Sequence, residues 1–458
     1  MYIIVAILSL VTAFSIFSAR AKSMALYGLV IFYLGIDYSN YLFQLGDSLA
    51  GTLAKSYKEM LLLALLLMVS YSAARRRVLD SDVLVLLLVS SMLLLYGGTQ
   101  NGFFLAAVDW RDSVLPVVTA ALLAACGLLE ERKLERLLML FATLIAANSL
   151  LAVFQYYSFS GDYESIWRYD FLLQESLRAD SSFEDRMVEY QIVRAGELRS
   201  SGLFASALQY SYSAALCCFY FYCIAWSRLS KTRLLAAVLP LTLMAVCAMG
   251  VYVSQVRASL MIVVVSIAIH FFAFGGISGK QRVGRALFIG FGCVAAFLVA
   301  IIFFFNSFDS SVQGRVPQYA LLIQEFRFFG HGVGAFRGRF DSYYVYGMLT
   351  FGVLFPIWII WVINLYRRSF PSRRVGARQS GNVVIQGFIF ASIIPALVIA
   401  CFQHFSASLY YQMIWLMLFS AVRAARGRRS SALHSVAGQS EEMSAGNMLL
   451  NKAERGLR

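Results

Sequence analysis

The chain has 458 residues, of which 60% are hydrophobic and 14% charged, with a net charge of +14 and a mean hydropathy of +0.69. Soluble domains carry about 25% charged residues, and no compact water-soluble fold hides this much apolar surface. Composition therefore excludes a string of soluble domains, a collagen-like rod and a disordered chain, and indicates a multi-span membrane protein.

A spanning helix needs about 20 mostly apolar residues. In chain order such segments fall near 2–18, 24–42, 57–74, 82–99, 114–129, 137–157 and 203–226, then near 234–252, 258–275, 286–305, 346–366, 383–401 and 408–423. The expected fold is all-α: a polytopic transmembrane helix bundle of about 12–14 spanning helices with two larger external loops. Helices are required because lipid leaves no partner for an open backbone, and the segments are too long and too uniformly apolar for barrel strands. The first segment reads as a retained helix, because no basic region precedes it. The seven cysteines all lie inside apolar stretches, with neither zinc spacing nor a disulfide framework.

Orientation follows from charge. One set of connections, including Arg75–Arg77, Arg228/Lys231/Arg233, Arg367/Arg368 and the tail from Arg423, holds two thirds of the 39 lysines and arginines. That set is expected in the cytoplasm, placing the N-terminus outside and the C-terminus inside. The charge excess is thereby assigned to cytoplasmic loops, and no nucleic-acid partner is expected.

The chain divides into N-terminal spans (1–157), a first large loop (158–202), central spans (203–305), a second large loop (306–345), C-terminal spans (346–423) and a basic tail (424–458). Loops this long are usually functional or disordered. In the first, the run from Ser181 to Glu197 suits an amphipathic surface helix. The second holds Gly330-His331-Gly332-Val333-Gly334, which reads as a tight ordered turn; no strand precedes it, so it is not a dinucleotide fingerprint.

Candidate chemistry gathers on the external face. Arg199 opens Arg199-Ser200-Ser201-Gly202 at the entry to a span, and Arg257 lies in the short connection Ser254–Ser259. A charge at such depth normally faces a water-filled cavity or a partner, and guanidinium binds phosphate through a bidentate fork. Arg315 and Arg327 add cations in the second loop. His331 and Asp341 can each take a proton from a sugar hydroxyl held within about 3 Å. The plainer readings are a backbone-satisfied histidine and an aspartate N-cap for a helix starting near Ser342. Tyr343 and Tyr344 suit either packing or sugar stacking.

The order of these pieces resembles the O-antigen ligase and polymerase superfamily. Matching segments are Arg199-Ser200-Ser201-Gly202-Leu203-Phe204, Ser254-Gln255-Val256-Arg257-Ala258, Phe329–Phe336, and Phe340-Asp341-Ser342-Tyr343-Tyr344 before a helix bearing Gly347 and Gly352. The likeness covers about 200–360. It implies that the two larger external loops are periplasmic, beside the inner membrane. It also implies inverting, metal-independent glycosyl transfer there from an undecaprenyl-pyrophosphate-linked oligosaccharide, without a cofactor. By the same resemblance Arg199 and Arg257 hold the pyrophosphate, with Arg315 and Arg327 assisting. Asp341 or His331 acts on the acceptor, and Tyr343 and Tyr344 contact glycan. Asp341 stands where ligases carry a histidine, which favours polymerisation of repeat units in lipopolysaccharide biosynthesis over ligation to lipid A core or protein. A chain-length regulator is a partner the resemblance suggests. A flippase is the reading from another class; it should show internal repeats, and none is visible.

Overall fold

The computed structural model describes residues 81–159, 161–179, 191–194, 196–231, 233–274, 316–337, 339–370, 383–400 and 408–427. It also describes scattered helical positions between 27 and 41, residue 71 and residue 292. Apart from residues 71 and 292, the segments expected near 2–18, 57–74 and 286–305 lie outside the described residues, as does Arg315.

Among the described residues the chain is mostly helical. In order the helices are α1 (Ser81–Asn101), α2 (Phe103–Ser113), α3 (Leu115–Ala125), α4 (Glu131–Phe159), α5 (Trp167–Ala179), α6 (Ala207–Leu229), α7 (Leu234–Val253) and α8 (Arg257–Phe274). Then come α9 (Val316–Glu325), α10 (Tyr343–Phe351), α11 (Leu354–Ser369), α12 (Val383–Ile399) and α13 (409–427). Three are long and apolar enough to cross a membrane: Asp82–Asn101 in α1, Glu131–Phe159 and Leu234–Val253.

Their surfaces explain the composition. On α1, Val85, Leu88, Met92 and Leu95 recur at helical spacing and are 58% to 61% exposed. On α7, Leu234 and Leu235 are 70% and 90% exposed. Apolar stripes of this kind are stable only against lipid or another apolar surface. The polar groups turn inward instead. Tyr210 donates to the Ser149 hydroxyl at 2.9 Å, and Ser254 donates to Ser211, which in turn donates to Ser259, joining α4, α6, α7 and α8. Gly250 makes room for this contact, since a Cβ there would lie 2.1 Å from the Tyr210 hydroxyl.

Three expected boundaries shift. The connection before the span near 114–129 is itself helical: α2 doubles back along α1 after Gly102 (φ 86°), and Trp110 donates to the Ser90 carbonyl at 3.0 Å. The span near 346–366 is broken into α10 and α11 at Gly352 (φ 57°), where the chain turns against the preceding loop. In the first large loop α5 lies upstream of the run from Ser181, whose residues 181–190 lie outside the described residues. Within that run Gln191 and Ile192 are helical, but Val193–Arg194 then pairs antiparallel with Glu197–Leu198 around Gly196 (φ 80°).

Candidate functional site

Two polar centres are built where the sequence pointed. The first surrounds the turn after Arg199. Asn148 and Gln155 lie seven residues apart on α4, on the same helical face. Asn148 donates to the Ser201 carbonyl at 3.1 Å and accepts from Leu203 N–H at 2.8 Å. Gln155 donates to the Gly202 carbonyl at 3.2 Å and accepts from its N–H at 3.0 Å. Gly202 sits at φ 65° with Asn148 where a Cβ would be, so only glycine fits.

Arg168, at the start of α5, clamps the same turn. Its guanidinium donates to the carbonyls of Ala205 (2.5 Å), Gln191 (2.6 Å) and Arg199. Arg168 is 3% exposed and Arg199 6%. Burial, and secondarily the Arg199 charge, draw the Arg168 pKa below the usual arginine range. Two arginines are thus buried at one turn.

The Arg257 connection joins this centre. Ser200 N–H donates to the Val253 carbonyl at 3.0 Å, at the last residue of α7. Gln255 (φ 54°) donates to the Glu197 carboxylate at 2.9 Å, which also accepts from Tyr156 at 3.0 Å. The structure therefore brings the Arg199 and Arg257 turns side by side, with Arg199 buried and Arg257 exposed at the first residue of α8.

The second centre is the glycine turn. Gly330, Gly332 and Gly334 have φ of 71°, 83° and 96°, and the turn is wedged between the α1–α2 hairpin and α10. His331 N–H donates to the Leu349 carbonyl at 2.8 Å, and Gly332 N–H donates to that of Thr350 at 3.0 Å. From α1, Asn101 donates to the carbonyls of His331 (2.9 Å) and Val333 (3.1 Å). From α2, the buried carboxylate of Asp109 accepts from Gly334 N–H at 2.7 Å and from the Tyr346 hydroxyl at 2.9 Å. Asp112, one helical turn on, pairs with Arg111 (2.8 Å) and Arg337 (3.3 Å).

The remaining candidates fall around this turn. His331 Nε2 lies 2.9 Å from the Glu325 carbonyl, and its ring edge rests on Phe336. A carbonyl only accepts, so Nε2 carries the proton. Asp341 is exposed, with its backbone N–H on the Gln318 side chain at 3.1 Å. It is not the helix cap: Ser342 caps α10, its hydroxyl accepting from Val345 N–H. Tyr343 is buried, its hydroxyl 3.1 Å from that of Tyr411, and Tyr344 donates to the Leu397 carbonyl at 3.1 Å. These contacts seat α10 against α13 through Tyr343 and against the end of α12 through Tyr344, the packing arrangement that was one of the two readings of this pair. Arg327 is exposed just beyond α9.

Sequence reasoning passed over Asp109, Asn101 and Arg168. The available signal was an acidic residue in an apolar stretch, Ala106-Ala107-Val108-Asp109-Trp110, which by cost alone demands a partner. Among the described residues no group of three His, Cys, Asp or Glu side chains is placed to hold a metal ion.

Apolar helices with outward apolar faces and an inward polar network define a membrane protein. The chain matches no family model, no curated protein and no solved structure.

Proposed function

We propose that this protein is a membrane glycosyltransferase that polymerises oligosaccharide repeat units carried on a polyprenyl pyrophosphate, undecaprenyl pyrophosphate in the bacterial inner membrane. The observation that carries this reading is the apposition of the Arg199 and Arg257 turns through Ser200–Val253 and Gln255–Glu197. Two guanidinium-bearing turns fixed on rigid helices suit a diphosphate, whose negative charge grows as it leaves.

In this mechanism the acceptor hydroxyl attacks C1 of the donor glycan from the face opposite the pyrophosphate. The C1–O bond breaks, the pyrophosphate departs with the electron pair toward Arg199 and Arg257, and configuration at C1 inverts. Asp341 takes the hydroxyl proton. His331 instead holds the glycine turn through the Glu325 carbonyl. The active face is the periplasmic one, as the lysine and arginine distribution argues.

The test is a gel of surface polysaccharide from a deletion strain complemented with wild type or Arg257→Lys. Loss of the polymer ladder with accumulation of single lipid-linked repeats is expected, because lysine cannot form the bidentate fork. Normal polymer length in the variant sinks the proposal. Full-length polymer left on its carrier points to ligation, and repeats trapped on the cytoplasmic leaflet point to a flippase.

A further inference from the structure

At the opposite end of the bundle a cavity of about 280 Å³ opens between α4, α6, α12 and the turn joining α6 to α7. Its rim carries Arg228 from the last turn of α6, Lys231 from the following turn, and Arg233 at the N-cap of α7. Its apolar lining comes from Met139 of α4, Ile224 of α6 and Ile385 of α12, among others. Glu135 is the acidic residue of the lining, so cations outnumber it three to one. Arg233 does not cap α7 with its side chain, so the positive end of the α7 dipole adds to the same rim. Arg228 is held in place by donating to the Ala236 carbonyl.

We infer that this cavity binds the phosphate headgroup of an anionic phospholipid. Phosphate is the shared chemistry of a lipid headgroup and a soluble phosphate. The surroundings favour the lipid: Trp226, Leu234 and Leu235 beside the rim are 45%, 70% and 90% exposed, a wall suited to acyl chains. A cationic mouth beside an apolar lining matches a headgroup with its chain entering the bundle. This is also the end that the lysine and arginine distribution assigns to the cytoplasm, where anionic lipid is concentrated.

The test uses the full chain in detergent, titrated with phosphatidylglycerol or phosphatidylcholine, with bound lipid counted by native mass spectrometry. Wild type should retain phosphatidylglycerol in preference to phosphatidylcholine. Lys231→Gln/Arg233→Gln should weaken that binding about 25-fold, at about fivefold per cation. Arg367→Gln/Arg368→Gln removes the same charge outside the cavity lining and should change binding less than about threefold. Met139→Trp, which adds bulk to the apolar lining without altering charge, should also weaken retention. Thermal unfolding midpoints matching wild type establish that the variants are folded. Equal losses in both double variants, or equal binding of the two lipids, would overturn the site. Displacement of phosphatidylglycerol by millimolar inorganic phosphate would overturn the lipid assignment in favour of a soluble ligand. Each readout is lipid binding at the end remote from the Arg199 and Arg257 turns, so it stands or falls apart from glycosyl transfer.

Discussion

Asp109 and Gly334 are 225 residues apart in sequence, yet the carboxylate of one accepts the backbone N–H of the other at 2.7 Å. With the Tyr346 hydroxyl on its second oxygen, Asp109 ties α2, the glycine turn and α10 to one buried charge. A buried carboxylate without such donors costs several kcal/mol, so loop and helix stabilise each other through it.

Asp109→Asn should therefore destabilise the fold by about 1–3 kcal/mol, because an amide has one acceptor oxygen and turns a donor toward the second N–H or O–H. The expected readout is a lowered thermal midpoint in detergent, with faster amide exchange at Gly334. Tyr346→Phe should act on the same bond, and the double variant should cost less than the sum of the singles.

Gly330 and Gly352 face each other across the turn. A Cβ on Gly330 would lie 2.3 Å from the Thr350 carbonyl oxygen, and one on Gly352 would lie 2.1 Å from that of Phe328. Both obstacles are backbone, and both glycines have positive φ. Gly330→Ala should cost at least about 2 kcal/mol in strain and displaced backbone. Gly161→Ala, with open space around its Cβ, should leave the midpoint unchanged in the same assay.

Arg168→Lys keeps the charge but cannot reach three carbonyls with a planar fork. The carbonyls of Ala205, Gln191 and Arg199 lose donors, and an expected loss of about 2 kcal/mol or more should appear as a lower midpoint. Proteolysis should then cut more readily between α5 and α6.

The roles given to His331 and Asp341 separate by isosteric substitution. Glutamine at 331 can still donate to the Glu325 carbonyl, so His331→Gln should keep most glycan transfer. Asp341→Asn removes the proton acceptor while keeping the size, and should lower transfer by about a hundredfold or more. In-membrane polymerisation with purified lipid-linked repeats measures both. A larger loss in His331→Gln than in Asp341→Asn would reverse the assignment.

The long helices α1, α4 and α7 were legible in the sequence because continuous apolar runs admit no other structure in lipid. The ordered character of the glycine turn was legible too, since three alternating glycines mark backbone at positive φ. The break between α10 and α11 was not, because Gly352 is compatible with a helix until the Phe328 carbonyl occupies the place beside it. The doubling back of α2 was also hidden: Asp109 signals a need for a partner but not the direction of the chain, which turns at Gly102.

Within the candidate site, Arg199 and Arg257 stood out by depth and residue type, whereas Arg168 resembled any arginine of a charged loop. Tyr343 and Tyr344 suited packing or sugar stacking equally by composition, and their contacts with Tyr411 and Leu397 are visible only in the fold.

The sequence by itself determined that this is a helical membrane protein and where its long apolar segments run, because burial in lipid depends on local composition. Tertiary structure alone decided which turns meet: Arg199 beside Arg257, and Asp109 beneath Gly334. Those pairings depend on hydrogen bonds between residues tens to hundreds of positions apart, and a chain's local pattern carries no record of its distant partners.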